Sequence, residues 1–347
     1  TYEDGLLISL KCSDTDANRL LPTIGWMICD PHLKTDQISL ERELSLQALQ
    51  RQKENPFQVT FDGWRQLAYG NGPYGHDPLG FIENLKGLGR EELSPLAKDL
   101  ARGSQYMVIA GTFNKNLEKE LEKVKPFSQL TSNLNSCVLP LDNTKIVSTK
   151  NNNQSTLSLH PEPTGQVVIL LGQPTIPHKH QDDLALRLLS CHLGSGMSSL
   201  LFRELREYRG IAYDVGIHHP IREGAAPFLI HVSTSEEKAL QTLQLLEEIW
   251  NNIKIRKLSD EELNLAKAKF LGQLAHATQT ISQRAERKAR LKGLKLKDNY
   301  DLENIRKIKL ISSEDIQIIA NTYLNRPLLS LCGPPSTIKT LSRFWCK

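Results

Sequence analysis

An α+β fold with two similar domains is predicted by three features of the sequence. The chain has 347 residues, more than one hydrophobic core usually holds, so two domains are expected. Both halves contain short apolar runs separated by longer amphipathic helical patterns. The halves also end alike. In both 92–112 and 315–333, a helical pattern is followed by an apolar run that leads into a glycine. We therefore predict two domains, each an antiparallel-rich sheet with helices packed on one face.

The first half is predicted to begin with a strand and continue mainly as helices. An apolar run at 5–10 has strand character. Ser13 follows and supplies N-cap chemistry for a helix that Pro31 ends. The remaining elements predicted for this half are helices at 36–50, 59–69, 91–101 and 114–124 and a strand at 106–111.

The composition changes between the two halves. Residues 126–164 are rich in Asn, Ser, Thr and Pro and have no sustained period, which predicts a linker between domains at 1–125 and 165–347. The strands predicted after it lie at 167–171, 211–219, 228–234 and 328–332. The helices predicted after it lie at 182–193, 198–207, 236–253, 260–275, 282–291 and 314–323.

Composition favours a soluble globular protein. Hydrophobic residues make up 39% and charged residues 24% of the chain, and no apolar stretch reaches the roughly 20 residues of a membrane-spanning helix. Acidic and basic residues, 39 and 43 in number, are mixed along the chain, so neither a nucleic acid nor a membrane partner is expected. The first residues contain no recognisable targeting signal.

The cysteines predict free thiols. None of the six forms a Cys-x-x-Cys pair, and a chain of this size folds without disulfide staples. We therefore expect a reducing compartment, either the cytoplasm or an organelle matrix or stroma. The six residues are Cys12, Cys29, Cys137, Cys191, Cys332 and Cys346.

The segment 193–215 is the strongest candidate for a functional site. It reads as a glycine turn, a helix and a strand, with Arg206 near the helix end and Tyr213 on the strand. A guanidinium and a phenol that converge beyond the turn at Gly210 suit an anionic oxygen. The alternative from spacing alone is that Arg206 pairs with a nearby acid and Tyr213 is an ordinary strand residue.

This segment, LGSGMSSLLFRELREYRGIAYDV, resembles the C-terminal-domain signature of the M16 metallopeptidases, the family of pitrilysin, insulinase and the mitochondrial processing peptidase. The stretches 19–31, 40–43 and 73–75 are similar to further motifs of that family. The resemblance implies two M16/LuxS-like metallohydrolase domains. It also implies that Arg206 and Tyr213 help to bind the scissile carbonyl or its tetrahedral intermediate. Leu200 departs from the family pattern, which often has Arg there.

The zinc site of the resembled family is missing from the sequence. That family uses His-x-x-Glu-His on one helix and a distal Glu on a later helix. No His-x-x-Glu-His occurs here, and aligning 41–43 with the family's Glu-Arg-Glu motif places Ala48 at the distal ligand position. The resemblance therefore implies no metal site in this chain, with zinc held by a partner subunit.

The remaining residue patterns favour no other chemistry. The histidines lack a convincing ligand spacing, so they are expected to be solvated or structural. The turn 194–196 is not Gly-x-Ser-x-Gly, and 70–72 lacks the lysine of a phosphate loop. A serine hydrolase and a nucleotide-binding protein are thus disfavoured.

The predicted function is that of a zinc-free, non-catalytic subunit of a heterodimeric M16 zinc metallopeptidase. Its expected partners are a zinc-bearing homologue or a second copy of itself, and its expected substrates are unfolded or short peptides. One alternative is a structural subunit without peptidase activity. The other is a complete zinc peptidase whose metal motif lies in a missing N-terminal region.

Overall fold

The computed structural model describes residues 1–102, 105–113, 116–123 and 155–346. The chain divides into two compact units, each assembled from stretches that are distant in sequence. Unit 1 comprises Thr1–Gln50, Pro78–Asp142 and His276–Asp298, and unit 2 comprises Arg51–Asp77, Asn143–Ala275 and Asn299–Lys347. The domain boundaries at 125 and 165 stay a prediction.

Helices account for most of the described residues. They are α1 (Asp14–Cys29), α2 (Thr35–Lys53), α3 (Pro56–Tyr69), α4 (Ile82–Lys86), α5 (Arg90–Arg102), α6 (Leu117–Lys123), α7 (Asp183–Gly194), α8 (Phe202–Tyr208), α9 (Ala239–Ile255), α10 (Asp260–His276), α11 (Ile281–Gly293), α12 (Tyr300–Lys307), α13 (Ser313–Tyr323) and α14 (Pro335–Trp345). Side-chain caps set several starts. The Ser13 hydroxyl accepts from the backbone nitrogen of Asp16, and Thr280 and Gln283 form a capping box at α11.

The strands of the described residues form one five-stranded sheet in unit 2. The strands are β1 (Leu157–Pro161), β2 (Gln166–Pro174), β3 (Asp214–His218), β4 (Pro227–Ser235) and β5 (Leu328–Gly333). Their order across the sheet is β1-β5-β2-β4-β3, with β1 parallel to β5 and the other pairs antiparallel. The predicted α+β class and its mainly antiparallel sheet are therefore confirmed.

The main hydrophobic core lies on one face of this sheet. Alternate residues of β2, namely Val167, Ile169 and Leu171, belong to it, as period-two strand geometry requires. Ile169 sits in register between Val232 of β4 and Leu331 of β5. Buried side chains of α7, α9, α13 and α14 complete the core from above the same face.

The opposite face of the sheet is covered by α3, which corrects the prediction of helices on one face only. Trp64 of α3 is fully buried in a second core with Leu170, and its indole nitrogen donates to the Gly172 carbonyl at 3.2 Å. The Tyr69 hydroxyl donates to the Ala225 carbonyl at 3.1 Å. The sheet needs this cover because β2 is apolar on both of its faces.

The strand predictions at 5–10 and 106–111 are wrong. Neither stretch forms a strand: among the described residues its backbone joins no ladder, and Gly5 makes only an isolated bridge to Tyr2. Their apolar side chains remain partly in solvent, with Leu6 exposed to 49% and Met107 to 54%. An apolar run of this length has strand character only when a neighbouring strand supplies the hydrogen bonds.

The predicted linker at 126–164 has two different outcomes. Its larger part, 126–154, lies outside the described residues. Its end contains β1, which pairs with β5 from Leu157↔Leu329 to Pro161↔Gly333. This strand was missed because its short sequence, LSLHP, depends on β5 for its stability.

A buried network of charged and polar side chains ties α7 to the end of β3. The Asp183 carboxylate lies 2.6 Å from Nε of Arg187, 2.7 Å from Nδ1 of His178 and 3.4 Å from Nε2 of His219. Burial alone would raise the pKa of Asp183, but Arg187 and the two histidines hold it well below its usual range. Arg187 also donates to the Pro220 carbonyl at 3.4 Å.

The described cysteines form no disulfide, as predicted for free thiols. Cys191 and Cys332 are buried, whereas Cys12 and Cys346 are exposed. Burial raises the pKa of the Cys191 thiol to about 11. Cys137 lies outside the described residues. None of the described helices is both long and apolar enough to cross a membrane.

We predict that Asp183→Asn lowers the free energy of unfolding by about 3–5 kcal/mol, because it leaves the partly buried Arg187 without its counter-charge. Since the folded-state pKa of Asp183 is depressed, its stabilisation is present above the unfolded-state value of about 3.9 and declines as pH falls below it. Urea unfolding at several pH values measures both effects. Equal stability of the two proteins at pH 7 would contradict the prediction.

Candidate functional site

The segment 193–215 folds as a glycine turn, a helix and a strand, as its sequence predicts. α7 ends at Gly194 so close to β3 that an added Cβ would lie 2.8 Å from the backbone nitrogen of Ile217, which only glycine avoids. The next helix, α8, has π-type turns, a distortion found frequently at functional sites. Gly210 then reverses the chain with φ +58°.

One backbone carbonyl joins the two ends of this segment. The Leu205 carbonyl accepts hydrogen bonds from the backbone nitrogens of Ile211, at 2.7 Å, and Ala212, at 3.2 Å. The Leu205 side chain is fully buried, which fixes this junction in the core. Arg206 directly follows Leu205, and Tyr213 directly follows Ala212, so the backbones of Arg206 and Tyr213 lie close together.

The side chains of Arg206 and Tyr213 are both exposed. Tyr213 exposes 62% of its surface, and within the described residues neither side chain makes a hydrogen bond or an ion pair. The Arg206 guanidinium lies 5.2 Å from the centre of the Phe202 ring. Glu204, two residues before Arg206, pairs with Arg209 instead. The structure therefore does not support the alternative in which Arg206 pairs with a nearby acid.

Tyr213 borders an open pocket of about 510 Å³. Its backbone nitrogen donates to the Ser233 carbonyl at 2.8 Å, and the Ser233 hydroxyl donates to Oε1 of Gln166 at 3.3 Å. Gln166 lines the same pocket, together with Pro56, Thr164 and Gly165. The pocket therefore presents uncharged hydrogen-bonding groups beside the phenol, at one end of three adjacent strands.

Ala48 lies in α2, where the resemblance places the distal zinc ligand. Its methyl group is half-buried, and the glutamines at 47 and 50 are exposed. The described residues contain no group of three His, Cys, Asp or Glu side chains that could hold a metal ion. The residues at this position thus do not fit zinc, because neither a methyl nor a neutral amide supplies the carboxylate that the site needs.

The Asp183 network is the cluster that sequence reasoning missed. The sequence places His178 in a polar loop, but the structure buries it together with His219. No local spacing links the two histidines, so no sequence signal pointed to their contact. This buried network ties α7 to the residue that follows β3.

His192 is buried as well and agrees with the expectation of structural histidines. Burial lowers its pKa to about 4, with Glu262 acting in the opposite direction. The ring is therefore neutral at physiological pH, and it carries no charge that could bind an anion.

Residues 104–270 match the family model described as "Peptidase M16 inactive domain". These residues thus resemble a domain of the peptidase M16 family. The matched residues include Arg206 and Tyr213, so the family resemblance of that segment is confirmed.

Two longer proteins are similar to this chain. An uncharacterized zinc protease of Mycobacterium leprae is 21% identical over 95% of this chain and 74% of its own length. An uncharacterized zinc protease of Rickettsia felis is 25% identical over 72% of this chain and 58% of its own length. The chain thus spans between about three fifths and three quarters of these relatives.

The fold of the chain also matches a solved structure. The crystal structure of a peptidase M16 inactive domain from Pseudomonas fluorescens superposes with a TM-score of 0.74 at 18% identity. The match covers 92% of this chain and 74% of that one. Identity at this level shows a shared fold and leaves the site residues to be argued from their own geometry.

We predict that Arg206→Ala and Tyr213→Phe each change the free energy of unfolding by less than about 0.5 kcal/mol, because both side chains are exposed and contribute no hydrogen bond to the fold. Urea unfolding of each variant against the unsubstituted protein measures this. A loss above about 1.5 kcal/mol in either variant would assign that residue a structural role instead.

Proposed function

We propose that this protein is the zinc-free subunit of a two-chain M16 peptidase that cleaves unfolded or short peptides. Its partner is a zinc-bearing homologue. The observation that carries the proposal is the exposed Arg206–Tyr213 site, held by the Leu205 carbonyl inside an M16 domain.

The chemistry of this site suits an oxyanion. A guanidinium and a phenolic hydroxyl are both hydrogen-bond donors, and neither is used by a described internal partner. Donors that are held in place before the reaction stabilise the negative charge that develops on a carbonyl oxygen during peptide hydrolysis. In this proposal Arg206 and Tyr213 donate to that oxygen.

The outer strand β3 supports peptide binding next to these donors. β3 pairs with β4 along one edge, and it is the last strand of the described sheet on that side. Tyr213 immediately precedes it. An extended peptide that adds to such an edge is read mainly through its backbone, which fits substrates of varied sequence.

The metal belongs to the partner in this proposal, because Ala48 offers no zinc ligand. Zinc bound to the partner supplies a Lewis acid and lowers the pKa of the attacking water. This chain contributes the binding and orientation of the substrate carbonyl.

We predict that Arg206→Ala or Tyr213→Phe lowers turnover of a fluorogenic peptide by the mixed complex about 10²- to 10³-fold, the usual cost of losing an oxyanion donor. Zinc content and complex assembly stay unchanged, as measured by metal analysis and size-exclusion chromatography. The matched controls are Tyr208→Phe, on an exposed tyrosine of α8, and Arg343→Ala, on an exposed arginine of α14. Both controls keep the turnover of the unsubstituted complex.

Three results would overturn this function. Unchanged turnover in both site variants would remove Arg206 and Tyr213 from the reaction. A stable complex without any cleavage would indicate a structural subunit. Zinc and cleavage with this protein alone would indicate a complete peptidase and would refute the assignment of Ala48 to the ligand position.

A further inference from the structure

Basic residues are concentrated in one stretch of the chain, against the expectation that charges are mixed. Residues 284–297 have the sequence RAERKARLKGLKLK. Half of them are Lys or Arg, and Glu286 is the only acid. The basic residues are Arg284, Arg287, Lys288, Arg290, Lys292, Lys295 and Lys297.

Helix α11 arranges three of these residues in a line. Arg284, Lys288 and Lys292 are spaced by four residues and therefore share one face of the helix; we call them the basic stripe. Arg284 and Lys288 are exposed, and the Lys292 side chain is exposed to 43%. The capping box at Thr280 and the buried Leu291 hold the helix in place.

The stripe works against the stability of its own helix. Like charges four residues apart repel each other on a helix surface. Glu286 does not relieve this repulsion, because it pairs with Arg290 at 3.0 Å. An anionic partner that neutralises the stripe removes the repulsion and gains contacts with exposed ammonium and guanidinium groups.

The structure already shows the stripe holding a carboxylate. Nζ of Lys292 lies 2.7 Å from Oδ1 of Asp298. The hydrogen bond from Lys292 lowers the pKa of Asp298, and the charges of Lys292 and Lys288 add to this effect. Two members of the stripe thus act on one carboxylate, which identifies the chemistry that this surface accepts.

Other anionic partners fit the helix less well. α11 contains no aromatic residue on which a nucleic-acid base could stack. Ile281 is its only large apolar side chain that is strongly exposed, so it lacks the apolar face of a membrane-surface helix. The spacing agrees with a peptide, because four helical residues rise about 6 Å and alternate side chains of an extended strand repeat at about 6.6–6.8 Å.

We infer that the basic stripe is a docking surface for an extended acidic segment of a peptide or protein, in which Asp or Glu recurs at every second residue. The carboxylates of that segment lie over Arg284, Lys288 and Lys292. This interaction goes beyond the proposed peptidase function and does not depend on it.

The test is the binding of a fluorescein-labelled (Glu-Ser)₅ peptide to the protein, followed by fluorescence anisotropy at low ionic strength. Arg284→Gln/Lys288→Gln weakens binding about three- to tenfold, the sum expected for two exposed ion pairs. Asp298→Asn strengthens binding, because it releases Lys292 from its internal carboxylate. The two variants therefore move the affinity in opposite directions.

The matched control is Lys339→Gln/Arg343→Gln on α14. It removes one Lys and one Arg, both exposed and also four residues apart, so the change in net charge and spacing is the same. The control keeps its affinity within twofold. Urea unfolding of each variant confirms that the helices remain folded.

Several results would overturn the inference. If the control variant weakened peptide binding equally, net charge alone would explain the effect. If the stripe variant bound the peptide as tightly as the unsubstituted protein, the stripe would not be the binding surface. Tighter binding of a thymidine hexanucleotide, with its five phosphates, would identify a nucleic-acid surface. Tighter binding to phosphatidylserine vesicles would identify a membrane surface.

Discussion

Burial of the unit 2 sheet on both faces is the constraint on which the rest of the structure depends. Residues 167–171 of the central strand β2 each expose 4% or less of their surface. Such a strand has no polar face, so α7, α9, α13 and α14 must cover one side and α3 the other. The polar residues of β2, Gln166 and Gln173, thus lie near its two ends. Gln166 lines a pocket together with Tyr213, which places the candidate site at that end of the sheet.

Burial also separates the polar groups that hold the fold from those that are available to a ligand. Asp183 is almost fully buried, and its desolvation is offset only because Arg187 and two histidines surround it. Arg206 and Tyr213 are solvated in the free protein, so their donors cost the fold nothing while no substrate is bound. The buried network therefore stabilises the fold, whereas the side chains of Arg206 and Tyr213 remain accessible to a ligand.

The parts of the fold that depend on local sequence were predictable, and those that depend on distant partners were not. Caps and amphipathic periods located α1 and α11, and the glycine motif located Arg206 and Tyr213. β1 was missed because LSLHP becomes a strand only beside β5. The runs at 5–10 and 106–111 show the converse, since apolar sequence alone forms no strand. The Asp183 network and the pocket beside Tyr213 both join residues far apart in sequence, so no motif signalled them.

The Arg206 site and the basic stripe present cations in physically different ways. In the proposed role at the site, one guanidinium and one phenol donate to a single oxygen, an interaction that depends on short directional contact. Along the stripe, charges repeat about every 6 Å on an exposed helix, and salt screens such exposed charges with a Debye length of about 8 Å at physiological ionic strength. Added salt therefore weakens docking at the stripe far more than hydrogen bonding at Arg206. Ionic strength is the variable that separates recognition of an acidic segment from stabilisation of an oxyanion in this protein.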